Sequence, residues 1–197
     1  MTSTTPRIAV TKEVIMLRSL LAVPLALATL AAYPATQQWP PPESPVIPAA
    51  DGYVVIPGAA VAPDKGHKYL AIFDATRRAE KPTELLPALN MAGSELNAFG
   101  VAGVPLSHVR FAVVFHGSAL AGILDEAHYR AKFGVSNPNL AVLEQFRKAG
   151  VELFVCGQNL ASEHVDPATL APGVTVASDA LIVLIAYQNR GYALLSF

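Results

Sequence analysis

The chain has one sulfhydryl, Cys156, which ends the apolar run Val151–Cys156 (VELFVC) and is followed by Gly157, Gln158 and Asn159. A cysteine at the junction of a strand and a helical turn meets unpaired backbone N–H groups and the positive end of a dipole. Both favour the thiolate, the nucleophilic form. Gly157, lacking a Cβ, leaves room for an incoming group to approach the sulfur. Cysteine is equally one of the most buried residue types, so the same position also reads as a space-filling thiol at a strand end. His116 closes a second apolar run, Val109–Phe115, ahead of Gly117 and Ser118. Its ring reaches the same rim, either to polarise the thiol or as a hydrogen-bonded structural histidine. Cys156 and His116 are the candidate catalytic residues.

Other chemistry is poorly served. A single cysteine builds neither an intrachain disulfide nor a cysteine-rich zinc site. His67, His108, His128 and His164 show no ligand spacing, so no metal is expected. Ser118 sits in HGSAL, without the Gly-x-Ser-x-Gly elbow of a hydrolase. Neither a Gly-x-Gly-x-x-Gly turn nor a Walker loop occurs, and no cofactor is expected. Lys plus Arg total 14 against 15 for Asp plus Glu, with no basic run, which removes the electrostatic footprint of a nucleic-acid binder. Tyr187, Gln188, Asn189 and Arg190 cluster at a helix end and read as a cap or a subunit interface.

The elements that must hold Cys156 and His116 follow from pattern. Lys68–Asp74, Val109–Phe115, Val151–Cys156 and Gly191–Phe197 are short, continuous, β-rich apolar runs, the mark of strands buried on both faces. Between them lie helical stripes, Leu85, Leu86, Leu89, Leu96 and Phe99 in one and Leu120, Ile123, Leu124 and Ala127 in the next. A third helix has Asn137 as N-cap, Pro138 at its first position, Leu140, Leu143 and Phe146 facing inward, and Gly150 past its end. Glu144 and Lys148 form an i,i+4 pair on its outer side. A last unit pairs a short strand at Val174–Val176 with a helix capped by Ser178 and buried through Leu181, Leu184 and Ile185. This alternation predicts an α/β domain over residues 65–197. The expected form is a three-layer sandwich, a mostly parallel five-stranded sheet with helices on both faces, Rossmann- or flavodoxin-like. Ligand-facing residues then lie beyond the carboxyl ends of the strands, at Asp74, His116 and Cys156.

The N-terminal part is different. Ser19–Ala32 is apolar and uncharged, preceded by Arg7, Lys12 and Arg18 and followed by small residues, so residues 1–35 read as a secretory signal peptide cut after Ala31 or Ala35. Crossing a bilayer takes about 20 residues, and this stretch is shorter and broken by Pro24, so no permanent membrane span is expected. A periplasmic or secreted location follows. Residues 36–64 hold many of the prolines and little charge, and read as a semi-rigid extended spacer. Trp39, Tyr53, Val54, Val55 and Ile56 are candidates to fold back on the domain as an edge strand.

Three stretches resemble the DsrE/DsrF-like family of sulfur-relay proteins: Val113–Leu120 (VVFHGSAL), Gly150–Leu160 (GVELFVCGQNL), and Gln188–Tyr192 leading into the last strand. The resemblance implies an α/β subunit that assembles as a homotrimer or homohexamer, and a cysteine, here Cys156, that carries sulfur as a persulfide between donor and acceptor proteins. It implies no metal or organic cofactor. Two functions compete: a sulfur carrier or sulfurtransferase acting through Cys156, and a non-catalytic binding or assembly module with a structural, buried cysteine. Export sets this chain apart from the cytoplasmic relay subunits, because an oxidising compartment attacks exposed thiols and persulfides.

Overall fold

The computed structural model describes residues 39–197. The leader expected at 1–35 lies outside that range. Among the described residues no helix is long and apolar enough to cross a membrane.

Five strands form one parallel sheet in the order β4-β3-β2-β1-β5. They are β1 (Tyr69–Ala75), β2 (Val109–Phe115), β3 (Glu152–Cys156), β4 (Thr175–Ala177) and β5 (Ala193–Ser196). The central strand β2 has the uninterrupted apolar sequence of a strand covered on both sides, and all of it except Arg110 is buried. Ala75 pairs with Phe115, and Phe115 with Val155, which aligns the carboxyl ends of the three middle strands. The chain steps one way from β1 to β4 and then returns to add β5 on the far side of β1. The strand order therefore reverses at the β1–β5 pair.

Side chains alternate between the two faces. Phe73, Ala75, Val113, Phe115, Leu153 and Val155 belong to the larger core, under α1 (Pro87–Val101) and α3 (Leu140–Ala149). Ile72, Ala112, Val114 and Cys156 belong to a smaller core under α5 (Ala180–Gln188). Proline in the first turn starts α1, where its missing N–H costs nothing, and α3 ends at Gly150 in the left-handed region (φ 81°). Two short helices, α2 (Glu126–Phe133) and α4 (Gly157–Ser162), and the 3-10 segment Gly117–Ile123 complete the connections. This is the α/β sandwich expected from the alternation of elements.

Several local expectations are corrected. The third helix begins at Leu140, with Asn139 rather than Asn137 at its N-cap position. Asn137 Oδ1 accepts from the Asn139 N–H (2.9 Å) in the turn before it, and the Asn137 NH2 donates to the carbonyls of Gly122 (3.1 Å) and Leu124 (2.7 Å), while Asn139 accepts from the Leu86 N–H (2.8 Å). These two buried asparagines tie three connections together where no ladder can satisfy the backbone. The stripe drawn through Leu120–Ala127 is split between the 3-10 segment and α2, whose N-cap Asp125 accepts from His128 N–H. The cap of α5 is Asp179 rather than Ser178. Its buried residues are Ala180, Val183, Leu184 and Tyr187, whereas Leu181 and Ile185 are 60% and 58% exposed.

The proline-rich segment has an ordered path on the α1–α3 side. Ile47 is fully buried in the larger core. The buried amide of Asn97 accepts from the N–H groups of Val46 (3.0 Å) and Ile47 (2.8 Å) and donates to the carbonyls of Ile47 and Asp51 (both 3.0 Å). Gln145 of α3 accepts from the Ala49 N–H at 3.1 Å. Close approach needs glycine on α1. A Cβ at Gly93 would stand 2.4 Å from Ala50 Cβ, and one at Gly100 2.5 Å from Val46 Cγ2. Tyr53 makes only a single antiparallel bridge, to Glu43, and Trp39, Val55 and Ile56 are exposed, so no edge strand forms there.

Candidate functional site

Three adjacent strands bring residues at or next to their carboxyl ends to one rim on the α5 side. His116 continues the extended backbone of β2 (φ −157°, ψ −177°), so alternation turns its ring to the same side as Val114. Asp74, between the inward Phe73 and Ala75 of the other face, does the same from β1. The two meet, with His116 Nε2 lying 2.7 Å from Asp74 Oδ1; the side chains are 24% and 17% exposed. Ser196 of β5 donates to the other carboxylate oxygen at 3.4 Å. Asp74 is the functional candidate that motif reading missed as a partner. The signal was a carboxylate ending the apolar run KYLAIFD, where a lone charge is costly without a partner.

Cys156 stands on the neighbouring strand, one step beyond the Phe115–Val155 register pair, level with His116. Its residue is 6% exposed. The thiol packs in the smaller core with Ile72, Val114, Val183, Leu184 and Tyr187. It precedes α4 as the cap residue but makes no cap hydrogen bond, so the α4 amides do not hold the sulfur. No hydrogen bond joins it to His116. Gly157 also has a different reason from the one inferred: a Cβ there would lie 2.6 Å from the Ala177 carbonyl oxygen, so the glycine lets β4 approach rather than a ligand. Burial, with the Glu152 carboxylate nearby, holds the Tyr187 phenol above its ordinary pKa. In α4, Asn159 Oδ1 is buried without a partner among the described residues.

The remaining candidates are structural. Ser118 donates to the Thr76 carbonyl (3.0 Å) and accepts from the Arg78 N–H (2.9 Å), pinning the loop after β1. Gln188 bonds back to its own helix at Leu184 O (3.2 Å), and Arg190 lies over the Tyr187 ring at 5.0 Å. His128 is paired with Asp125 and His67 with Asp64. On the other side of the rim a cleft of about 740 Å³ opens between the loop after β1 and α2, with Tyr129, Phe133, Arg78 and Lys132 on its walls.

A parallel five-stranded sheet with helices on both faces and polar residues gathered at its carboxyl rim defines an α/β protein of the doubly covered class. Within that class the chain belongs to the DsrE/DsrF-like family, whose sequence profile matches residues 67–197. Among solved structures, it is similar to a protein of unknown function, MTH1491, from Methanobacterium thermoautotrophicum. The TM-score is 0.51 at 18% identity, over 66% of this chain and 100% of that one. It also matches the ychN protein from E. coli at a TM-score of 0.46 and 15% identity, covering 66% of this chain and 99% of the other. No curated protein matches. Family membership supports a role related to sulfur relay.

Proposed function

We propose that this chain is an exported sulfur carrier or sulfurtransferase that holds sulfane sulfur as a persulfide on Cys156, assisted by His116, within a homotrimer or a pair of trimers. The observation that carries the reading is the place of the only thiol in a DsrE/DsrF-like chain, at the carboxyl end of a central strand and level with the His116–Asp74 pair. The chemistry needs no cofactor. The Cys156 thiolate attacks the outer sulfur of a donor hydropersulfide, a new S–S bond forms on Cys156, and the donor's S–S bond breaks with its electron pair on the departing thiolate. An acceptor thiol removes the sulfur by the same step in reverse. Because the thiol is buried in the smaller core under α5, loading requires that cover to move aside. Self-association is supported by the outer side of α5, where Leu181, Ile182 and Ile185 are exposed on a helix without a charged residue. Export is supported by the leader-like residues 1–35.

Incubation of the pure protein with a sulfane donor, followed by intact mass measurement, gives the mass of one added sulfur on the wild type and none on Cys156→Ser. An unchanged wild type, or equal addition to both, overturns the carrier reading. Burial of the thiol favours a second reading, a non-catalytic assembly module in which Cys156 only fills the smaller core. It leads to alkylation of the native thiol as slow as that of a core residue, becoming fast only on unfolding.

A further inference from the structure

Building on the carrier reading, we propose that Asp74 is the positioning residue that turns His116 into a proton acceptor for the rim thiol. The hydrogen bond sets the tautomer. A carboxylate can only accept, so at 2.7 Å the imidazole donates its Nε2–H to Asp74 Oδ1, and in the neutral ring the lone pair then stands on Nδ1. Among the described residues no group bonds to Nδ1. The carboxylate is itself held, by Ser196 Oγ at 3.4 Å and by its place at the end of a buried strand. Asp74 also faces Ser196 across the β1–β5 reversal of strand order, where open α/β sheets bind their ligands, and His116 reaches it from β2 on the other side. Cys156 is on the adjacent strand at the same level, strands lie about 4.8 Å apart, and on this proposal one water relays its proton to Nδ1.

The step balances. The Cys156 thiol gives its proton to Nδ1, leaving thiolate and imidazolium. The thiolate takes the outer sulfur of a hydropersulfide R–S–SH, the electron pair of the broken S–S bond departs on RS⁻, and the imidazolium returns the proton to give RSH. Nothing is oxidised or reduced overall. Asp74 stays ionised throughout and stabilises the imidazolium, and it touches no reacting atom.

Long-range 1H–15N correlation on the wild type reads the tautomer directly, and this requires no variant to fold. The proton is expected on Nε2 of His116; a neutral ring protonated on Nδ1 overturns the proposal. Asp74→Asn presents an amide that can donate to Nε2 and so favours the opposite tautomer, which is expected to slow sulfur loading of Cys156 by about 10²-fold or more. His116→Gln is expected to slow it equally, with no further loss in the double variant. Loading by Asp74→Asn at the wild-type rate, with the wild type taking sulfur normally, removes Asp74 from the scheme and leaves the carrier reading intact. A wild type that takes no sulfur removes both.

Discussion

The two faces of the sheet are closed in different ways. On the α1–α3 side, two amphipathic helices and the segment around Ile47 cover the inward residues of β1, β2 and β3, and Phe73, Phe115, Leu89, Leu143 and Phe146 are sealed completely or nearly so. On the other side, one helix among the described residues spans the sheet. α5 is apolar all round, ALIVLIAYQ, so after burying Ala180, Val183, Leu184 and Tyr187 it still presents Leu181, Ile182 and Ile185 outward. A helix that is apolar on every side belongs inside something. The rim residues Asp74, His116 and Cys156 all project to this second, less covered side. One face thus supplies stability from the chain's own residues, and the other combines candidate chemistry with an uncovered apolar surface.

The sharpest way to break that contrast is to cut the same kind of contact on both sides. Phe146→Ala, at a fully buried position of α3, is expected to cost about 3–5 kcal/mol in urea unfolding. Ile185→Ser on the outer side of α5 is expected to change monomer stability by no more than about 0.5 kcal/mol and to act instead on the proposed assembly, lowering the sedimentation coefficient relative to wild type. Equal costs for the two, with unchanged sedimentation, would mean that the second face is finished as it stands.

A smaller effect sharpens what closes the first face. Asn97→Ala removes the acceptor for the N–H groups of Val46 and Ile47 and the donor to two carbonyls. Leaving such buried groups unpaired is expected to cost about 1–3 kcal/mol and to make residues 45–51 the first site of limited proteolysis. A variant as stable and as resistant as wild type would show that the segment only rests on the helices. Gly93 and Gly100 are the sequence trace of this packing, two gaps on one side of α1 that Ala50 and Val46 fill.

What the sequence made legible, and what it hid, divides along the same line. Continuous apolar runs located the strands because a strand buried on both faces has no other sequence to offer; β2 is Val109–Phe115 as expected. Periodicity failed on α5, since a helix with no polar side has no phase to read, and Leu181 and Ile185 were placed inward although they are exposed. Asn137-Pro138 has the form of a cap and a first helical residue, and Asn137 Oδ1 does accept from the Asn139 N–H, but the regular helix starts only at Leu140, and the Asn137 NH2 holds Gly122 and Leu124 carbonyls that only the tertiary fold brings near. Cys156 and His116 were visible by residue type at strand ends. The Asp74–His116 bond was not, because it spans 42 positions and depends on the register of two parallel strands.

The smallest expected effect concerns the lining of the second core. Tyr187 enters the smaller core from the last turn of α5, meets Phe154 and Tyr192 edge-on, and has a phenol whose pKa is raised, first by burial and then by the Glu152 carboxylate. A folded-state pKa above the unfolded value means that the native state holds the proton more tightly. The stabilisation is therefore fully present below the ordinary phenol value of 10.0 and is lost as pH rises beyond it, when the unfolded chain ionises and the folded chain resists. Stability measured by urea unfolding is expected to fall between about pH 10 and 11 in the wild type and to fall less in Tyr187→Phe, with little difference between them at neutral pH. Phenylalanine keeps the ring contacts, so the variant isolates the ionisation. An alkaline decline identical in both proteins would place the phenol in water, making the second face more open than its packing implies.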